Sequence, residues 1–178
     1  MNLPSIHYPD RSQLLIILAI IALVVAARLL PMPANVAPIG ALGLFAGAFL
    51  PTRLAWLLPV GALLISDAVI GFYALPVMAM VYLGFAAGAI IGRVFLARRQ
   101  SAARLAGAVL CSATVFFIMS NFAVWLSFYP NTLAGFIQCY VNAIPFFGRS
   151  LLGDALFASL MFGSYALFNV WHRPAHYA

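Results

Sequence analysis

The sequence predicts an all-α integral membrane protein, a bundle of six transmembrane helices with both termini in the cytoplasm. Three observations carry that prediction. Of 178 residues, 66% are hydrophobic and only 7% are charged, where a soluble domain carries about 25%. The apolar residues gather into six runs, roughly 14–30, 36–50, 54–70, 75–96, 105–128 and 151–170, and a spanning helix needs ~20 such residues. The basic residues, all nine of them arginine, stand at or near the ends of those runs. A chain this short has room for one membrane domain, residues 1–178.

Each element has its own signal. Arg11 precedes the first run, and the small residues at 24–27 resemble a processing site. No soluble segment follows them, so an uncleaved first span is expected. "PMPAN" (31–35) stops that span, because two prolines remove donors and fix φ. The second run is short and glycine-rich, and "PTR" (51–53) turns the chain into the third. "GFYALP" (71–76) closes the third run at Gly71 and opens the fourth near Pro76, a residue type favoured in a first helical turn. "ARRQSAAR" (97–104) is the one strongly polar link. The stretch 129–150 has an apolar core of about 12–15 residues, short for a crossing. It predicts a short extra helix between the fifth and sixth spans, capping one end of the bundle.

Six alternating spans put Arg11, Arg53, Arg93, Arg98, Arg99, Arg104 and Arg173 on one side and only Arg28 and Arg149 on the other. The positive-inside rule makes the arginine-rich side cytoplasmic, and a multi-pass protein of the cell's inner (cytoplasmic) membrane is expected. The net charge of +6 is then a topology signal rather than a nucleic-acid footprint. Trp56 and Trp171 fall at the inner interface and Trp125 near the outer one.

With that orientation the polar residues converge on the outer end. Asp67 closes the third span, Asp154 opens the sixth, Arg28 ends the first, and Arg149 lies just outside the sixth. An ionised side chain at mid-bilayer costs ~2.5–3.5 kcal/mol on insertion scales, so such groups pair or face a polar cavity. Two readings stay open. In one, Arg149 pairs with Asp67 or Asp154 and the charges are structural. In the other, they line an outward-facing substrate pocket. There Tyr73, Trp125, Tyr129 and Tyr140 supply contact area, and Asp67, Asn121, Arg149 and Asp154 supply orientation. Small-residue ladders mark the inner half: Ala22 with Ala26, Gly43 with Gly47, and Gly84, Gly88 and Gly92. They serve close packing within the bundle or docking of another membrane subunit.

No residue set calls for an enzyme. HExxH, GxSxG and P-loop patterns are absent from the sequence. Two aspartates could form an intramembrane protease dyad sharing a proton, but two arginines beside them favour ion pairs. Cys111 and Cys139 form no CxxC pair, and His7, His172 and His176 are terminal, so no metal centre or resident cofactor is expected.

The stretches "RLLPMPANVAPIGALGLFAGAF", "MSNFAVWLSFYPNTLAGFIQCYVNAIPFFGRSLLGDALFASLMFG" and the turn after Asp67 resemble the S components of energy-coupling-factor vitamin transporters. Within that group the likeness is to the solitary cobalamin-binding BtuM type, over about residues 20–168. The resemblance implies a membrane-embedded protein that captures a vitamin, here cobalamin, from the outer side. It implies that Ala22 and Ala26 dock on a transmembrane coupling subunit served by ATPases, or on no partner if the chain is solitary. In the cobalamin type a pocket cysteine near the link between the third and fourth spans holds cobalt. Here that region carries Met78 and Met80, which leaves Met80 and Cys139 as candidate cobalt contacts. The competing expectation, from a different class, is a non-catalytic structural or assembly subunit of a membrane complex.

Overall fold

The computed structural model describes residues 11–28 and 36–171. They form six helices and no strand: α1 (Arg11–Arg28), α2 (Ile39–Phe49), α3 (Thr52–Ile70), α4 (Leu75–Leu96), α5 (Ala102–Phe128) and α6 (Leu133–Trp171). Among the described residues, α3 to α6 are each long and apolar enough to cross a membrane, so the chain is a multi-pass membrane protein. Large apolar side chains point outward along them, Val69 at 70% exposure and Ile90 at 65%, as a lipid-facing surface requires. The proline break at 31–35, Arg173 and the three histidines lie outside the described residues.

The bundle is organised around its shortest helix. Eleven residues at ~1.5 Å each give α2 about 16 Å, half the ~30 Å hydrocarbon layer. Its sequence, IGALGLFAGAF, has no polar face, and a helix that is apolar all round belongs in the interior. Residues Ile39 to Gly47 are all buried, and α2 packs against each of the other five helices. Its glycine side meets α4 with almost no gap. A Cβ on Gly47 would stand 2.0 Å from the Ala89 carbonyl oxygen, and one on Gly92 would stand 2.2 Å from that of Leu44. Backbones that close need small residues. The Gly43–Gly47 and Gly84–Gly92 ladders are thus packing surfaces inside the bundle. On its other side α2 offers Phe45 and Phe49 to Phe162 and Tyr165 of α6, with ring centroids 4.1–5.7 Å apart.

These pairings also give direction. Residues 43 and 47 of α2 advance with 85 to 93 of α4, and 40 to 49 advance with 154 to 165 of α6. The three even-numbered helices therefore run parallel, as an alternating path demands. The C-terminal ends of α1 and α3 meet each other through Arg28 and Asp67.

The turns follow local chemistry. Gly71 ends α3 at φ 117°, a left-handed conformation that side chains disfavour, with its N–H donating to the Asp67 carbonyl. The Ser101 hydroxyl accepts from the Arg104 N–H and caps α5, and the Thr132 hydroxyl does the same for Gly135 at the start of α6.

One expectation needs correction. The short extra helix between the fifth and sixth spans is not a separate element. Residues 133–150 continue into the last span as one 39-residue helix, ~58 Å long at ~1.5 Å per residue. Pro145 sits inside it. A single proline removes one N–H, which a membrane helix tolerates when neighbours satisfy the freed carbonyl, and no other residue nearby forces a break. The first half of α6 runs back along the end of α5 as a helical hairpin. Phe117 packs on Tyr140 and Phe147, and Trp125 packs on Phe136.

Candidate functional site

Because α2 is short, the space beyond its N-terminus is walled by longer helices. A cavity of about 240 Å³ opens there. Arg28, Tyr73, Ser150 and Asp154 supply its polar lining, and Ala37, Val81, Phe85 and Phe116 its apolar wall. Phe85 and Phe116 lie 4.3 Å apart between centroids with planes at 33°.

Arg28 enters from the last turn of α1 and is held firmly. Its Nε donates to the Ser66 hydroxyl at 2.6 Å and its Nη2 to Asp67 Oδ1 at 2.8 Å. The Tyr82 hydroxyl donates to Asp67 Oδ2 at 3.0 Å. Ser66 turns its own hydroxyl toward the Ala62 and Leu63 carbonyls of its helix, at 2.8 and 2.9 Å. Both Asp67 oxygens are engaged, and the Asp67 side chain is 3% exposed. A charge that deeply buried is tolerated only when paired and hydrogen-bonded. Tyr73, in the link between α3 and α4, has its phenol pushed up to about 12, first by burial and then by the negative charge of Asp67. It is neutral at any physiological pH and can donate or accept.

Asp154 is held differently. Only 7% exposed, it projects from α6 onto the first turn of α2. The helix-capping position there is Pro38, which has no side-chain acceptor to offer. Asp154 takes over that task from another helix and accepts the Ala41 N–H. The approach depends on Gly40: a Cβ on it would stand 2.3 Å from Asp154 Oδ1 and 2.6 Å from Oδ2. The positive end of the α2 dipole favours the carboxylate there. Among the described residues no cation pairs with it.

The pocket residues expected from sequence do not all converge on the cavity. Tyr73 and Asp154 line the cavity, and Asp67 stands behind it through Arg28. Trp125, Tyr129, Tyr140 and Cys139 instead tie the α5–α6 hairpin together, and the Asn121 side chain bonds back to its own helix. Asn121 donates to the Phe117 carbonyl, Trp125 to that of Pro130, and Tyr140 to that of Ile118. Asn142 donates to the Tyr129 hydroxyl, and Cys139 to the Asn121 carbonyl. Met80, half-buried on α4, and Cys139 both lie off the cavity lining, and no cluster of three or more His, Cys, Asp or Glu occurs among the described residues.

Arg149 pairs with neither aspartate. It is exposed, with its guanidinium carbon 5.8 Å from the Phe146 ring centroid, and the ion pair falls to Arg28. The continuous α6 explains the difference. Residues five apart on one helix point ~140° away from each other at ~100° per residue, so Arg149 and Asp154 face opposite ways. Arg28 was expected at this end of the bundle but not as the partner of Asp67, and Ser66, Tyr82 and Gly40 were not among the expected site residues. The adjacent Ser66–Asp67 pair at a helix end was a usable signal for Ser66. Gly40 had none, because its role depends on a residue 114 positions later.

The chain belongs to a family of unknown function, DUF6580, whose family model matches residues 9–176. No curated protein and no solved structure matches it.

Proposed function

We propose that the protein is a membrane-embedded, non-catalytic binding protein of the S-component kind, taking up a vitamin-sized molecule from the outer face of a bacterial inner membrane. One observation carries this reading: a cavity at the arginine-poor end of the bundle combines an anchored guanidinium, a buried carboxylate and a neutral phenol with an aromatic wall. Ligand sites are typically apolar concavities with a few fixed polar groups. Arg28 and Asp154 are fixed by Asp67 and by the α2 N-terminus, so binding need not order them.

Size favours a compact ligand. A corrinoid is several times larger than the cavity, and the candidate cobalt contacts stand away from it. Cobalamin is therefore the poorer choice within this reading. Ala22 and Ala26 are both exposed on α1, which packs on α2 and α3. That leaves a small-residue face open for a transmembrane coupling subunit with its ATPases. A structural subunit without a ligand is the rival.

Mass spectrometry of small molecules co-purifying with the detergent-solubilised chain tests the proposal. A compound enriched with the wild type and lost in Asp154→Asn supports it. A monodisperse, folded protein that carries no ligand, and that no compound of a vitamin-sized panel stabilises thermally, refutes it.

A further inference from the structure

We infer that the molecule taken into this cavity is a small organic cation whose charge is met by Asp154. The inference deepens the binding-protein reading and rests on it.

Arg28 and Asp67 neutralise each other across 2.8 Å, and Tyr73 is neutral. Asp154 remains, more than nine-tenths buried, with one backbone N–H on it and no cationic partner among the described residues. The link 29–35 contains no Arg, Lys or His, so it brings no cation of its own. Arg149, the nearest cation on α6, sits beside Phe146 on the opposite side of the helix. With its acids ionised the site therefore carries one net negative charge. A buried carboxylate is met either by a positive partner or by a proton, and the cavity beside Asp154 is a space in which a cationic partner can stand.

The remaining lining suits the same guest. Phe85 and Phe116 present an aromatic wall, and ring faces attract ammonium and heteroaromatic cations, more strongly when water is excluded. The Tyr73 oxygen is a further acceptor. The volume of about 240 Å³ limits the guest to a compact amine or a single charged ring system.

The test uses the full chain in lipid nanodiscs at pH 8, with tetramethylammonium and benzylammonium as cationic probes and benzyl alcohol as the neutral match. Binding is read by thermal shift and calorimetry. At least one cation is expected to bind ten-fold or more tightly than benzyl alcohol, and Asp154→Asn is expected to abolish that preference. Asp154→Glu keeps the charge and should retain part of it. Should Asp154→Asn fail to fold, the wild-type preference of cation over alcohol decides alone. Equal binding of cation and alcohol overturns the inference while leaving the binding-protein reading standing. Binding of no probe, with no co-purified ligand, overturns both. A more heat-stable Asp154→Asn that matches a wild type blind to cations means that a proton neutralises the carboxylate, and this too overturns the inference.

Discussion

Gly40→Ala isolates the contact on which the cavity floor depends. The added methyl would lie 2.3, 2.6 and 2.7 Å from Oδ1, Oδ2 and Cγ of Asp154. Ordinary contact begins near 3.4 Å, so the carboxylate must retreat by about an ångström. It is a short side chain on a packed helix, and retreat takes it off the Ala41 N–H. A hydrogen bond to a charged group contributes ~1.5–3 kcal/mol, and overpacking costs a further ~1–3 kcal/mol. Alanine recovers ~1 kcal/mol of helix propensity. The net expectation is a loss of roughly 1.5–5 kcal/mol, or ~3–20 °C in Tm at ~2–4 °C per kcal/mol for a chain of this size. Thermal unfolding in detergent measures it. Gly61→Ala and Gly163→Ala are the controls, because a Cβ at either meets nothing within 4 Å; both should hold Tm steady or raise it. The double variant Gly40→Ala with Asp154→Ala should be more stable than the two single effects predict, since removing the carboxylate removes the clash. A Gly40→Ala protein as stable as Gly61→Ala, or strict additivity in the cycle, would show that the notch at Gly40 does not hold Asp154.

Other perturbations follow from the same contacts. Arg28→Met should destabilise by up to ~3–5 kcal/mol, because it strands Asp67 with Tyr82 alone, and Arg28→Met with Asp67→Leu should recover part of that in a melting experiment. Gly47→Ala and Gly92→Ala should yield little folded protein on size-exclusion chromatography, since their methyls meet backbone carbonyls at 2.0 and 2.2 Å and backbone cannot swing aside. Ala22→Leu and Ala26→Leu should leave the Tm of the isolated chain unchanged, as both sites are exposed; reduced uptake in cells would then mark α1 as a docking face. Single cysteines at Ser101 and Asn131 should label from opposite sides of the membrane, and labelling from one side would refute the alternating path.

The six helices were legible because each rests on a local signal. Proline and glycine punctuate the chain at 51, 71 and 76, and apolar runs lie between them, so α3 and α4 begin and end within two residues of expectation. The exception, α6, turned on Pro145. The length of apolar sequence before it fell short of a crossing and suggested a separate helix. Whether a proline breaks a helix depends on the surroundings of the freed carbonyl, which the local sequence does not specify. The glycine ladders were legible as close contacts, but not their partners, since one small-residue stripe fits another helix of the bundle as well as a foreign one.

The site was legible only as a level in the membrane. Charge placement located Asp67, Asp154, Arg28 and Arg149 at the same end, but pairing within that level depends on azimuth, which a continuous or broken α6 decides. With α6 continuous, Arg149 turns away from Asp154, Arg28 is the cation within reach of Asp67, and no cation among the described residues pairs with Asp154. That pattern follows from the unbroken helix. A glycine insertion between Arg149 and Asp154 would turn the helix by ~100° and carry Arg149 with it. It should disturb the α5–α6 hairpin, read as altered solvent accessibility at Cys139, even where the Arg28–Asp67 pair survives.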